Sequence, residues 1–194
     1  MSSYPTPLTP NQVNLVLQSA TIAALGIELQ SPAVPNDPAY AAVRVGWQQQ
    51  GQPAFAIDED VVFVRCAEDD DQYDRIKHPS VVNGQQLFQY TRVWRVWWDF
   101  HGPNSVDRGR IMRSSLFSQA THDALSAAQL YFVTNPQAPQ RLFEEKDGQW
   151  WERVNFSAQF NEMVTETPPV TFASSVEILG YTAQGQFCDI TVEE

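Results

Sequence analysis

The chain has 194 residues, of which 43% are hydrophobic, and its 23 acidic against 12 basic side chains give a formal net charge of −11. This length favours one domain with its own core. The sequence has no run of about 18 apolar residues, so no transmembrane helix is predicted. Its amino terminus has no basic region followed by an apolar stretch, so no secretory signal is predicted. General nucleic-acid binding is disfavoured because the sequence has no Lys/Arg cluster to neutralise phosphates.

The first predicted element is an amino-terminal helix. Thr9 and Gln12 form the Thr-x-x-Gln pattern of a capping box, and Pro10 suits the first helical position. Apolar residues follow at helical spacing until Gly26, which offers a left-handed stop. Two strands are predicted next, one in the alternating segment 43–47 and one in the apolar run 61–64. An acidic loop follows the second strand.

A tryptophan-rich strand comes next and ends at a Gly-Pro turn. Three of the six tryptophans lie within residues 94–98. Because side chains alternate along a strand, one face should enter the core, and its members are Phe88, Tyr90, Trp94, Val96, Trp98 and Phe100. Asn104 or Ser105 should then cap a helix, with a second short helix near residues 121–128.

The carboxyl-terminal half is predicted to be mostly strands. Residues 130–134 and 141–145 form two of them, and residues 149–166 form a long one. Its apolar side chains change face between Trp151 and Val154, which predicts a bulge. A final strand pair is predicted after Pro169. The order of elements predicts an α+β fold in which a largely antiparallel sheet packs against the amino-terminal helix and the central helical pair.

No motif for catalysis is found. The three histidines have no metal-ligand spacing, and the acidic loop lacks the central glycine and closing glutamate of a calcium loop. No phosphate-binding loop and no nucleophile motif is present. We therefore predict no enzyme, no metal and no cofactor. Two alternatives stay open: a small metal-dependent hydrolase that uses the acidic loop, and a carbohydrate-binding module that stacks sugars on Trp97 or Trp150.

Three tryptophans are difficult to bury on one face. Trp97 lies next to Trp98, and Trp150 lies next to Trp151, so the members of each pair point to opposite faces of their strand. Either helices cover both faces of the sheet, or an aromatic side chain contacts another protein chain. Tryptophan is enriched at the centres of protein interfaces.

Three long segments resemble the phage neck-terminator, or tail-terminator, family. They are "VRVGWQQQGQPAFAIDEDVVFVR" with the following "DDDQYDR", "RVWRVWWDFHGPNSVDRGRIMRSSLF", and "DGQWWERVNFSAQFNEMV". Their order and spacing match over residues 8–165. The resemblance implies a single terminator-like domain over residues 1–194, in which residues 170–194 form the carboxyl-terminal strand pair.

The resemblance also implies a structural virion protein with no reaction to catalyse. Such proteins form a ring, usually a hexamer, that caps the head-proximal end of the tail tube and ends its polymerisation. The implied partners are further copies of the chain, the tail tube protein, a neck stopper or connector and a tail sheath protein. Genomic DNA would pass without specific binding, since an acidic lumen repels it. The protein would be made in the host cytoplasm and end at the tail–neck junction. Another head–tail connector, such as a stopper, is the alternative.

The ring that the resemblance implies needs two different contact patches on each subunit. We expect them on the second face of the tryptophan strand, on the acidic loop and on the "QWWER" segment. The predicted contact residues are Asp69, Asp70, Asp71, Tyr73, Arg75, Arg95, Trp97, Trp150, Glu152 and Arg153.

Overall fold

The computed structural model describes residues 7–28, 38–46, 55–72, 76–82, 85–146, 148–167, 176–181 and 187–192. Within these ranges the chain forms four helices and nine strands, in the order α1 (Pro10–Ala24), α2 (Pro38–Ala42), β1 (Val43–Val45), β2 (Val61–Glu68), β3 (His78–Val82), β4 (Gln85–His101), α3 (Ser105–Ser115), α4 (Gln119–Ala127), β5 (Leu130–Phe132), β6 (Gln140–Lys146), β7 (Gln149–Glu166), β8 (Val176–Tyr181) and β9 (Phe187–Val192). None of the described helices is long and apolar enough to cross a membrane.

Two long antiparallel strands, β4 and β7, form the centre of a seven-stranded sheet. They pair without interruption from Phe88 opposite Glu166 to His101 opposite Arg153. Shorter strands flank them: β2 and β3 pair with β4, while β5 and β6 pair with β7. β1 pairs with β2 in parallel, and β8 pairs with β9 in a separate antiparallel sheet. The α+β prediction is therefore confirmed.

The bulge predicted in the long strand is wrong. The register of β7 against β4 is unbroken, and β6 pairs with β7 in one register from Gln140 opposite Asn155 to Lys146 opposite Gln149. Trp151 lies on the opposite face from Val154 because the two positions differ by an odd number of residues. No bulge is needed, since both faces of the sheet carry aromatic side chains.

The core lies on the face of the sheet that the helices cover. All four described helices contribute buried residues to one apolar cluster, including Leu17 of α1 and Met112 of α3. Trp94, Trp98 and Phe100 are fully buried there, as predicted. Phe88 and Tyr90 share this face of β4 but are only partly buried and lie outside the cluster, at the end of β4 that pairs with β3.

The helix after β4 begins differently from the prediction. Asn104 is the residue that precedes α3, but its side chain makes no capping hydrogen bond. Instead its Nδ2 donates to Asp60 Oδ2 at 2.7 Å, and its backbone N–H donates to Asp60 Oδ1 at 3.0 Å. Gly102 has a φ of +97°, and a Cβ there would lie 2.5 Å from the Glu59 carbonyl oxygen. The turn is thus packed against the residues that precede β2. The capping box of α1, by contrast, is confirmed.

A buried carboxylate fastens the start of α1 to the sheet. Glu162 is 1% exposed, and its Oε2 accepts hydrogen bonds from Arg92 Nη2 and Trp94 Nε1, each at 2.7 Å. Its Oε1 accepts from the Leu8 backbone N–H at 2.7 Å. Arg92 also donates to the Leu8 carbonyl oxygen and lies over the Trp94 ring. The buried charge therefore has its hydrogen-bond partners, as a buried ion pair requires.

Cys66 is a buried free thiol. Burial raises its pKa to about 11, and the charge of Glu68 adds to the effect. The thiol therefore stays protonated and unreactive at neutral pH, because the thiolate is the reactive form. The Cys188 side chain lies outside the described residues.

Removal of the Glu162 carboxylate should strongly destabilise the fold. Glu162→Ala removes the buried acceptor shared by Arg92, Trp94 and the Leu8 N–H and leaves Arg92 paired only with the exposed Glu68 among the described carboxylates, so we expect a loss of about 3–5 kcal/mol in the free energy of unfolding. Glu152→Ala on the same strand is the matched control. Its ion pair with Arg141 is largely solvent-exposed, and we expect a loss below about 1 kcal/mol. Urea unfolding followed by tryptophan fluorescence measures both, and equal losses would contradict the prediction.

Candidate functional site

The sheet face opposite the helices, here called the open face, carries paired charges beside apolar and aromatic side chains. It includes the residues of β4 and β7 that alternate with the core positions. Arg65 Nη2 lies 3.6 Å from Asp99 Oδ2, and Arg95 Nη2 lies 2.6 Å from Asp69 Oδ2. Because every described helix contributes its buried residues to the other face, no described helix covers the open face.

Trp97 lies at the centre of the open face. Its neighbours across the strands are Arg65 on β2 and Ser157 on β7. The Arg65 guanidinium lies 5.4 Å from the centre of the Trp97 ring, a cation–π contact. Trp97 is only partly buried. The sequence left two explanations open, namely helices that cover both faces or contact with another protein chain. Within the described residues no helix covers Trp97, so the first explanation is wrong there.

Asp69 ties the acidic loop to the open face. Its Oδ2 accepts hydrogen bonds from Arg95 Nε at 2.8 Å and from Gln159 Nε2 at 2.6 Å. Burial alone would raise the pKa of this carboxyl group, but the hydrogen bonds from Gln159 and Arg95 and the charge of Arg95 outweigh burial and lower the pKa below its ordinary value. Beside this contact lies a polar groove of about 200 Å³, lined by Arg95, Asn135, Gln137, Ser157, Ala158 and Gln159.

An aromatic pocket of about 200 Å³ opens at the other end of the open face. Its walls are Phe55, Phe63, His101, Glu144 and Trp151. The Phe55 ring centre lies 5.4 Å from those of both His101 and Trp151. Burial lowers the pKa of His101, with Asp99, Arg153 and Glu144 making smaller, partly opposing contributions, so the ring is neutral at neutral pH. We call this site the aromatic pocket.

The β6–β7 hairpin extends past the end of β4, whose last residue, His101, pairs with Arg153. Phe143 and Trp150 lie on its helix-side face and are 76% and 68% exposed. Glu144 and Trp151 point the opposite way, into the aromatic pocket. Each face also carries one Arg–Glu ion pair. The pairs are Arg141–Glu152 at 2.8 Å on the helix side and Arg153–Glu144 at 3.2 Å on the open face.

The ten predicted contact residues therefore do not form one surface. Asp69, Arg95 and Trp97 meet on the open face, and Asp70 and Asp71 follow Asp69 along the chain. Trp150 and Glu152 lie on the helix-side face of the hairpin, whereas Arg153 lies on the open face. Tyr73 and Arg75 lie outside the described residues.

Sequence reasoning missed the aromatic pocket and the exposed Phe143. Phe55 and Trp151 are almost a hundred positions apart, and no local pattern joins them. The exposure of Phe143 could have been predicted from the sequence, because Phe143 lies between the charged residues Arg141 and Glu145 on one face of a predicted strand.

The acidic loop gains no support as a metal site. Within the described ranges, no group of three or more His, Cys, Asp or Glu side chains is close enough to hold a metal ion. Asp69 is instead engaged with Arg95 and Gln159.

The Asp69 contact makes a prediction about pH. Because the folded pKa lies below the unfolded value of about 3.9, the charged group stabilises the fold above that pH, and the contribution is lost as the pH falls through the folded pKa. We expect Asp69→Asn to cost about 0.5–1 kcal/mol at pH 7, with the difference from the wild type shrinking below about pH 4. Thermal unfolding across pH measures this.

Asp107→Asn is the control for that experiment, since Asp107 is 74% exposed and pairs with Arg110 one helical turn away. Its effect should be smaller than that of Asp69→Asn at neutral pH. A cost of Asp69→Asn that persists unchanged at pH 3 would overturn the assignment, because a protonated carboxyl cannot form the ion pair.

Comparison with known proteins agrees with the resemblance found in the sequence. The family model described as phage neck terminator protein matches residues 12–190. The match includes the sheet, all four described helices except the first residues of α1, and most of the final strand pair. No curated protein matches the chain. Since the family model spans most of the sequence, the chain belongs to the phage neck terminator protein family and is a structural component of the tail–neck region of the virion.

Proposed function

We propose that six copies of this chain close into a ring on the head-proximal end of the tail tube. The ring ends tube polymerisation and presents the surface to which the connector of the filled head binds. The observation that carries this proposal is the family match over residues 12–190, which includes both long strands and the hairpin at their end. The partners are the tube protein on one side of the ring and a neck stopper on the other, with a sheath protein as a further neighbour in a contractile tail.

The distribution of side chains on the sheet supports self-assembly. A subunit of a cyclic ring uses two different surfaces, one for each neighbour. The chain offers two, namely the open face around Trp97 and the helix-side face of the β6–β7 hairpin. Both combine tryptophan with arginine, the residue types that dominate interface energetics. Trp97 with Arg95, and Trp150 with Arg141, are the centres of these two surfaces.

The charge of the chain fits a ring through which DNA passes. Most described arginines are already engaged with carboxylates of the same chain, as in the pairs Arg65–Asp99, Arg92–Glu162 and Arg108–Asp60. In the part of the chain that the structure describes, these arginines therefore do not form a free basic surface. The formal net charge of the chain is −11. An acidic lumen repels DNA phosphates, so the DNA would pass without being bound.

A phage that cannot make this chain should produce tails that are irregular in length and not joined to heads. Supply of the chain from a plasmid should restore uniform, joined tails, because termination and joining both depend on the ring. Negative-stain microscopy measures tail length and the joined fraction. Tails of uniform length that stay unjoined would refute tube termination and indicate a stopper-type connector instead.

Trp97→Ala should abolish joining while leaving the subunit folded. Trp97 is partly exposed, so we expect a loss of less than about 2 kcal/mol in unfolding free energy, whereas Trp98→Ala removes a fully buried ring and should cost about 3–5 kcal/mol. Chemical denaturation measures both losses, and complementation of the deficient phage measures joining. If Trp97→Ala supports normal joining, Trp97 is not an interface residue.

A further inference from the structure

We propose that the β6–β7 hairpin joins neighbouring copies: Phe143 of one copy inserts into the aromatic pocket of the next, formed by Phe55, Phe63, His101, Glu144 and Trp151. This inference rests on the proposed ring and names the contact that builds it. The proposed occupant of the pocket is a side chain of a second copy, not a small ligand or another protein.

The hairpin carries the inserted ring and part of the pocket on opposite faces. Phe143 and Glu144 are consecutive residues of β6, and Trp150 and Trp151 are consecutive residues of β7. Their side chains therefore point in opposite directions. Phe143 and Trp150 project from the helix-side face, while Glu144 and Trp151 line the pocket. A second copy stacked face to face on the first thus meets the pocket with its exposed aromatic side chains.

The pocket has the size and chemistry for one aromatic ring. Its volume is about 200 Å³, and an apolar cavity of about 150 Å³ engineered in another protein binds benzene. Phe55, Phe63 and Trp151 offer ring faces and edges to a fourth ring, in the tilted and edge-on arrangements that aromatic groups prefer. Phe143 is 76% exposed, so its ring is available for insertion, and its burial would remove a large apolar surface from water.

The Arg–Glu ion pairs beside these aromatic side chains have opposite polarity on the two faces. On the helix-side face β6 carries Arg141 and β7 carries Glu152, whereas on the open face β6 carries Glu144 and β7 carries Arg153. Glu145 adds a second negative charge to the helix-side face of β6. When two hairpins stack with their strands aligned, Glu152 of one copy therefore lies on the same strand as Arg153 of the next, and Arg141 on the same strand as Glu144.

The contact has a direction. One copy uses its helix-side face and the other its open face, so the first copy keeps a free open face and the second keeps a free helix-side face. Such a contact repeats from copy to copy and closes into a ring when the rotation between copies permits. A symmetric dimer cannot form in this way, because the same residues would have to meet one another.

Cysteine cross-linking on assembled particles tests the contact. The variant carries Glu145→Cys, which lies beside Phe143 on the helix-side face, and Glu144→Cys on the open face, in a Cys188→Ser background. Phe143 is kept, and Cys66 is buried and stays protonated. The two new side chains of one copy point to opposite faces and cannot bridge each other. Mild oxidation should link the thiol introduced at position 145 of one copy to the thiol introduced at position 144 of the next, giving a ladder of covalent oligomers that ends at the ring number. Each single variant should give no ladder.

The outcomes separate this contact from the proposed ring. A ladder with the double variant alone supports the contact. A ring seen by microscopy without any ladder overturns the contact and leaves the ring in place. Dimers from a single variant overturn the directional arrangement. Particles that carry the chain but show no ring overturn the proposed function as well.

A second measurement needs no variant. Hydroxyl-radical oxidation of wild-type particles should leave Phe143 nearly as unreactive as the buried Phe100, whereas the free subunit should be oxidised readily at Phe143. Ile111 on α3, which is 49% exposed and lies away from the hairpin, is the control and should react in both states. Equal oxidation of Phe143 in particles and in the free subunit would overturn the proposal, and so would protection of Phe143 in the free subunit itself.

Discussion

The residue-for-residue pairing of β4 with β7 is the constraint on which the rest of the structure depends. A shift by one residue would turn Trp94 and Trp98 to the open face and move Trp97 into the core. The pairing is fixed at one point by a charge, because Arg92 lies directly opposite Glu162 and the buried carboxylate also binds Trp94 and the start of α1. A buried ion pair contributes little net stability, but a wrong register would leave the buried Glu162 carboxylate without Arg92.

This pairing divides the molecule into two faces with different tasks. The helices cover the centre of one face, and the fully buried Trp98 donates a hydrogen bond from its Nε1 to Thr21 of α1. The other face keeps Trp97, Arg95 and Asp69 in contact with solvent. Since β7 continues past the end of β4, the same two faces extend onto the β6–β7 hairpin, whose helix-side face exposes Phe143 and Trp150. The contact surfaces that we propose for this neck protein lie on this extension and on the open face.

The sequence predicted the elements better than their contacts. The capping box of Thr9 and the core positions Trp94 and Trp98 were correct, because helix caps and strand alternation are local properties. The bulge near Trp151 was wrong, since it assumed that all apolar residues of the strand share one face. The side-chain cap at Asn104 was also wrong, because Asp60, more than forty positions away, competes for that side chain. Local rules cannot include such a competitor.

By itself, the sequence determined the α+β class, the core face of the tryptophan strand and the family, since each depends on the order and periodicity of residues along the chain. Only the tertiary structure decided that Trp97 has no covering helix among the described residues and that Asp69 binds Arg95 and Gln159. It alone decided that Phe55 and Trp151 form one pocket. The physical reason is that burial and side-chain contact are properties of the assembled sheet, in which residues distant in sequence become neighbours.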